Sequence, residues 1–423
     1  MSVFRRIFAA IFVLSFALDF KGNVGGTVIQ FVMAGLNAFA FILLAASYRF
    51  RSPRSLLPAT VLWGWLIFVI TGTMGALANF VPLSSYVRIV YPFVLFIEGY
   101  MVAWWIGKSN NGSQVLVSTI YTASAISLFF TLMWGFAFTG ISVTDIRYQI
   151  LSPLIPMLIV VLAYDLFFAQ RRKLISLLML VFIFYIIALS VTRGMILALM
   201  FLLLTVLLGW LQNALARPVA LPRSFIRFLI IGSFTILCGL ASATYVVRSV
   251  IVRWSNRSFG AGEYVTLWTR IAAVLGQYQA MMSSKYGWIL GQGFGSSYPW
   301  PVWKFPWILP YLNKNFLTDA SFPGEFMWMS FIYYGGVIVG FIIIVLLLTT
   351  FRYCYRILRS QLKQKTWLQA SARPLWIGLL GYFAFIGLGF TSDPLGARNA
   401  SLFMGLCLGL VFARGRLITK ERT

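Results

Sequence analysis

Histidine is absent from this 423-residue chain, and only nine residues are acidic against 34 lysines and arginines. The missing histidines remove the commonest metal ligand and the commonest general base near neutral pH. No other obvious ligand set takes their place, so no metal and no cofactor is expected. Cysteine is scarce too: of three, Cys238 and Cys407 fall inside apolar blocks and Cys354 in a basic inter-helix segment, leaving no outward-facing pair for a disulfide. Charged residues make up 10% of the chain and hydrophobic ones 60%, with mean hydropathy +0.87. That balance excludes a water-soluble globule, whose core would outgrow its surface. Strict apolar/polar alternation is also missing, which argues against a β-barrel.

What is present is a series of apolar blocks about twenty residues long, enough at 1.5 Å per residue to cross a roughly 30 Å hydrocarbon core as helix. The expected helices are Ile7–Asp19, Val24–Tyr48, Leu56–Ala78, Ile89–Gly107, Gln114–Phe138, Leu151–Ala169, Leu174–Val191 and Met195–Leu211. Phe225–Val246, Glu325–Thr350, Leu375–Phe390 and Ala400–Ala413 complete an all-α integral membrane protein of about twelve spans. The first block runs into Asp19 and Lys21 without a small-residue cleavage site, so it is expected to be retained, with the N-terminus in the cytoplasm.

A net charge of +25 could suggest nucleic acid, but the basic residues punctuate the apolar blocks instead. Threading the blocks from a cytoplasmic start places Arg5/Arg6, Arg49/Arg51/Arg54, Lys108, Arg171/Arg172/Lys173, Arg217/Arg223/Arg227, the 352–373 cluster and the 414–422 tail inside, as the positive-inside rule favours. Both termini are then cytoplasmic. The chain divides into residues 1–246 with nine helices, a hydrophilic outer loop at 247–324, and residues 325–423 with three helices and a tail. Long connections without a structural need are usually functional.

Within the loop, Trp268, Ile271, Ala272, Leu275, Tyr278 and Met282 recur at helical spacing, opposite Glu263, Thr266, Arg270 and Gln277. The pattern predicts an amphipathic helix on the membrane surface. Gly291-Gln-Gly-Phe-Gly295 follows; it matches no nucleotide fingerprint, and a tight turn or close backbone approach fits it better. The stretch Tyr298–Trp307 is rich in proline and aromatics, including Trp300 and Trp303. Such tryptophans suit an interfacial belt and also stacking on sugar rings.

Arg193 interrupts an otherwise continuous apolar run from Leu174 to Leu211, so Thr192-Arg193-Gly194 is expected at the apex of a tight outer hairpin. Its guanidinium can snorkel to headgroups or grip a lipid-linked phosphate with rigid paired donors. Arg248, Arg253, Arg257 and Arg270 add positive charge on the same side, against the general bias; headgroup contact and a shared anionic substrate are the two readings. Asp319 and Glu325, near the outer interface, can complement a helix N-terminus or act as general base towards a sugar hydroxyl. Glu98 lies mid-way through an apolar block, a functional candidate by default but too deep to meet a surface reaction.

Three elements in order resemble the O-antigen ligase/polymerase superfamily of bacterial envelope glycosyltransferases. They are Leu189-Ser-Val-Thr-Arg-Gly194; Trp268-Thr-Arg-Ile271 with Trp288-Ile-Leu-Gly-Gln-Gly-Phe-Gly295; and an outer acid followed by Tyr334-Gly-Gly-Val-Ile-Val-Gly340. Ligases of that family carry a histidine before the last element, where this chain has Glu325, so the resemblance is nearer to a Wzy-type polysaccharide polymerase. It implies a GT-C-like fold in the bacterial inner membrane and an undecaprenyl-diphosphate-linked oligosaccharide as substrate. A chain-length regulator is the implied protein partner. Arg193 and Arg270, helped by Arg248, Arg253 or Arg257, would hold the diphosphate; Asp319 or Glu325 would serve the acceptor hydroxyl; Gly293, Gly295, Trp300 and Trp303 would line the substrate site. A ligase using a carboxylate in place of histidine, and a lipid-linked oligosaccharide transporter or flippase, are the alternatives.

Overall fold

The structure is a computed structural model, and the residues it describes are 2–17, 26–137, 154–168, 173–190, 193–216, 261–299, 323, 326–364, 366, 369–390 and 392–420. Among them the chain is all-α, with no strand. The helices are α1 (Val3–Leu14), α2 (Gly26–Ser47), α3 (Leu56–Ala78), α4 (Leu83–Gly107), α5 (Asn110–Ala137), α6 (Ile155–Ala163), α7 (Lys173–Ser190) and α8 (Arg193–Ala216). After them come α9 (Ala261–Ser283), the single turn α10 (Gly287–Leu290), α11 (Met327–Gln364), α12 (Arg373–Leu388) and α13 (Arg398–Lys420).

Every expected block holds a helix among its described residues except Phe225–Val246, which lies outside them. Some boundaries differ for a physical reason. Block four begins at Leu83 because Pro82 is its N-cap, and blocks ten and twelve run on to Gln364 and Lys420. Arginine and lysine are good helix formers, so a basic segment leaves the apolar region without leaving the helix.

Seven helices among the described residues are long and apolar enough to cross a membrane: α2, α3, α4, α5, α8, α11 and α12. Their outer surfaces agree. On α3, Trp63, Ile67, Ile70, Met74 and Leu77 form an exposed stripe at helical spacing, and α8 repeats it with Leu197, Met200, Leu204, Leu208 and Leu211. Apolar stripes of this length belong against lipid. This is a multi-pass membrane protein. The 12 residues of α1 reach only about 18 Å.

Helix directions follow from side-chain partners. α4 and α13 run parallel, since Ser401 Oγ donates to the Pro92 carbonyl at 2.6 Å while, further along both helices, Gly409 meets Tyr100 and Trp104. A Cβ at Gly405 would collide with the Phe96 carbonyl and one at Gly409 with that of Tyr100. Small residues four apart are what let two membrane helices approach this closely. α3 and α11 are antiparallel, with Gly64 against Leu346 and Phe68 against Phe331. α8 and α11 are parallel, joined by Phe201–Phe351 and by Asn213 donating to the Arg359 carbonyl at 2.9 Å.

The bundle therefore has two distinct ends. One collects Arg5, which donates to the Ser47 carbonyl at 2.8 Å, Arg51, whose carbonyl accepts from Trp105 at 2.6 Å, and Arg414, which donates to the Ser371 carbonyl at 3.1 Å. The bidentate Arg373–Asp165 pair, at 2.8 and 2.9 Å, belongs to the same arginine-rich end. The other end collects the Gly291–Gly295 turn, the start of α11 and the α12–α13 connection.

Candidate functional site

At the glycine-rich end, three segments far apart in sequence are locked together by backbone. Gln292 N–H donates to the Tyr333 carbonyl at 2.7 Å and Phe294 N–H to the Gly72 carbonyl at 3.1 Å. Gly291, Gly293, Gly295 and Gly336 have φ of 71, 80, 85 and 78°, a left-handed region that side chains rarely tolerate. A Cβ on Gly293 would land on the Ala76 nitrogen, and one on Gly336 on the Ile289 carbonyl. The positive φ at Gly336 also kinks α11. Phe294, fully buried, fills the space under the turn against Phe68, Phe93 and Tyr334 at ring separations of 5.4, 5.1 and 5.3 Å. These glycines provide close backbone approach.

α9 packs beside this turn, with Gly276 against Tyr298 and the Pro299 carbonyl. The helix exists as expected, and its side chains are described from Arg270 onward. Its buried face holds Ala272, Ala273, Gln277 and Ala280, whereas Tyr278 and Met282 are exposed. The described part of the polar stripe, Arg270 and Gln277, thus faces the bundle, and part of the apolar stripe faces outward. Arg270 is half-buried, and Gln277, two turns further on the same face, is 1% exposed with neither amide atom hydrogen-bonded among the described residues. A buried amide left unpaired costs about 1–3 kcal/mol, and a hydroxyl-rich ligand is one partner that would offset it.

The α12–α13 connection supplies a carboxylate that sequence reasoning missed. Asp393 is buried, and its Oδ1 accepts from the Leu395 and Gly396 N–H groups at 3.1 and 3.2 Å. Burial pushes its pKa up from 3.8 to about 6, while hydrogen bonds from Ser330, Gly396 and Leu395 pull the other way. Arg398, at the start of α13, lies at this end too, 3.4 Å from Gln30 Oε1. The available signal was Ser392-Asp-Pro394, a turn sequence between two apolar blocks whose threading puts it outside. The rim is aromatic: Trp288 and Tyr286 are exposed, and Tyr278 meets Trp288 edge-on at 6.1 Å.

Of the residues singled out from sequence, Gly293 and Gly295 are in the buried turn and Arg270 is on α9 beside it. Arg193 is the first residue of α8, three positions after α7 ends at Ser190, and its side chain lies outside the described residues. Ala198, close to it on α8, packs on Gly387, which puts that helix start at the glycine-rich end. Arg248, Arg253, Arg257, Trp300, Trp303, Asp319 and Glu325 lie outside the described residues. Glu98 is set apart: it shares an α4 face with Tyr91 and Trp105, whose rings meet Phe16, Phe41 and Tyr48 of the α1–α2 region. Among the described residues no group of His, Cys, Asp or Glu has a metal-binding arrangement. A scan against protein-family models finds none that matches this chain, and a search of curated proteins finds no match either.

Proposed function

We propose that this protein is a metal-independent glycosyltransferase of the polysaccharide-polymerase kind. It transfers a growing glycan from undecaprenyl diphosphate to a sugar hydroxyl of another lipid-linked repeat unit, at the outer leaflet of a bacterial inner membrane. The observation that carries the reading is the inward polar stripe of α9, Arg270 and Gln277, beside a backbone-locked turn. Two of the three elements behind the family resemblance meet there, and the third, at Arg193, begins α8 at the same end.

In this reading Arg193 and Arg270 hold the diphosphate and stabilise the charge that develops as it leaves. The bond from the sugar anomeric carbon to the diphosphate breaks, the acceptor oxygen bonds to that carbon, and the acceptor proton passes to a carboxylate, Glu325 or Asp319. Twelve crossings with both termini cytoplasmic are part of the same proposal. α8 ends at the arginine-rich end and α9 lies at the other, a displacement that a crossing at Phe225–Val246 would supply.

The test is polysaccharide profiling of a deletion strain complemented with Arg193→Ala, Arg270→Ala, Asp319→Asn or Glu325→Gln. Loss of long chains in the arginine variants, with normal membrane insertion, is expected. Wild-type chain lengths in both would sink the assignment. One-step transfer of a finished glycan would favour the ligase alternative.

A further inference from the structure

At the arginine-rich end a cavity of about 860 Å³ opens between the α2–α3 connection, the end of α4 and α13. Its walls include Arg49, Arg51, Arg54, Lys108, Trp104 and Phe412. A second cavity of about 260 Å³ shares Arg51 and Lys108 and adds Arg5, Tyr48 and Trp105. Among the described residues lining either cavity none is acidic.

Several of these groups are held in place. The Trp105 indole pins the Arg51 carbonyl at 2.6 Å, Lys108 Nζ sits 3.2 Å from the Trp104 ring centroid, and the Arg5 guanidinium lies 4.4 Å from that of Tyr48. α2 closes with Arg49 N–H bonding to the Ala46 carbonyl and Phe50 N–H to that of Ala45, at 2.9 and 2.8 Å. That cap wants glycine at its left-handed position, yet Arg49 and Phe50 stand there with φ of 53 and 47°. An arginine in that conformation costs about 1–2 kcal/mol. Burial beside the indole, and then the charge of Arg51, push the Lys108 ammonium pKa down. The electrostatic cost at Lys108 falls when an anion enters, while the left-handed backbone fixes where Arg49 and Phe50 stand.

The rim identifies the source of the anion. Phe50 and Leu56 are 68% and 85% exposed next to the cations, and Trp104 and Phe412 give the cavity an apolar wall. A ligand that satisfies both features carries phosphate on one side and hydrocarbon on the other, and basic pockets between membrane helices suit anionic headgroups. We propose that the two adjoining cavities form a seat for a phosphate-bearing anion, presented by an anionic phospholipid of the leaflet at that end.

The test is native mass spectrometry of the full-length protein with phosphatidylglycerol added, and separately with inorganic pyrophosphate. Arg51→Gln/Arg54→Gln is compared with Arg352→Gln/Arg356→Gln, which removes the same charge from exposed positions on α11. Phosphatidylglycerol retention is expected to fall at least about tenfold in the first pair and to persist in the second, with pyrophosphate binding weakly to all. Equal retention in both pairs would overturn the seat. Loss of pyrophosphate binding with phosphatidylglycerol retained would overturn the lipid as source. Unfolding temperatures in neutral detergent without lipid establish that the pocket pair is folded, and Arg54→Gln alone serves if it is not.

Discussion

The two ends of the bundle solve the same problem, ending membrane helices at a water boundary, in different ways. At the arginine-rich end the α2–α3 connection is open: cations line cavities, and α2 terminates on an arginine and a phenylalanine in left-handed conformation, a device that α3 shares at the other end with Phe80. At the glycine-rich end the turn at Gly291–Gly295 is closed: four left-handed glycines let backbone meet backbone, and Phe294 and Tyr334 fill what is left. An open basic end can hold mobile anions of many shapes. A closed end with fixed backbone can hold a few polar groups, Arg270, Gln277 and Asp393, in one geometry, and fixed geometry is what catalysis requires.

The largest effect that would break this comparison is at the closed end. Gly293→Ala must place a Cβ on the Ala76 nitrogen at φ 80°, and it is expected to destabilise by on the order of 3 kcal/mol or more. Fluorescence-detected size-exclusion should show loss of the monodisperse peak. Gly35→Ala, where nothing lies within 4 Å of the added Cβ, should leave it intact. Equal behaviour of the two would mean the turn is not the rigid element described.

A smaller effect separates structure from function at Gln277. Because its amide is buried and unpaired among the described residues, Gln277→Met should raise stability by about 1 kcal/mol while chain elongation falls. A variant that is both more stable and fully active would make the amide a packing defect and remove it from the site.

The smallest effect is the pH response of Asp393. Its folded pKa, about 6 against 3.8 for a free carboxyl, means the folded protein binds the proton more tightly than the unfolded chain. Its contribution is therefore most favourable below about pH 4 and declines as pH rises through about 6. Thermal unfolding of wild type minus Asp393→Asn, between pH 4.5 and 7.5, should show that decline. A flat difference would place the carboxyl in water.

Much of the fold is legible in the sequence because length and hydropathy decide whether a helix meets lipid. The α3 bounds at Leu56 and Ala78 and the break between α7 and α8 are direct consequences. Helix ends in basic segments are not legible, since arginine ends the apolar region without ending the helix, as at Gln364. The glycine turn reads correctly as close backbone approach, but nothing in its spacing names Ala76 and Gly336 as what it approaches. Periodicity separates the two faces of α9 and does not say which one turns inward; that depends on close packing such as that of Gly276 on Tyr298 and the Pro299 carbonyl, which the pattern within the helix does not carry. Asp393 escapes for a related reason, because an Asp-Pro turn looks the same whether its carboxyl is buried or exposed.

The central claim, that the closed end is the reaction site and the open end is not, is tested most directly by giving purified full-length protein a lipid-linked oligosaccharide in detergent and resolving the products by chain length. Wild type and Arg51→Gln/Arg54→Gln should yield a ladder of repeats, while Arg193→Ala and Arg270→Ala, folded by size-exclusion, should yield none. A wild-type product of single-step transfer, no product at all, or a ladder that survives both arginine replacements at the closed end would contradict the account.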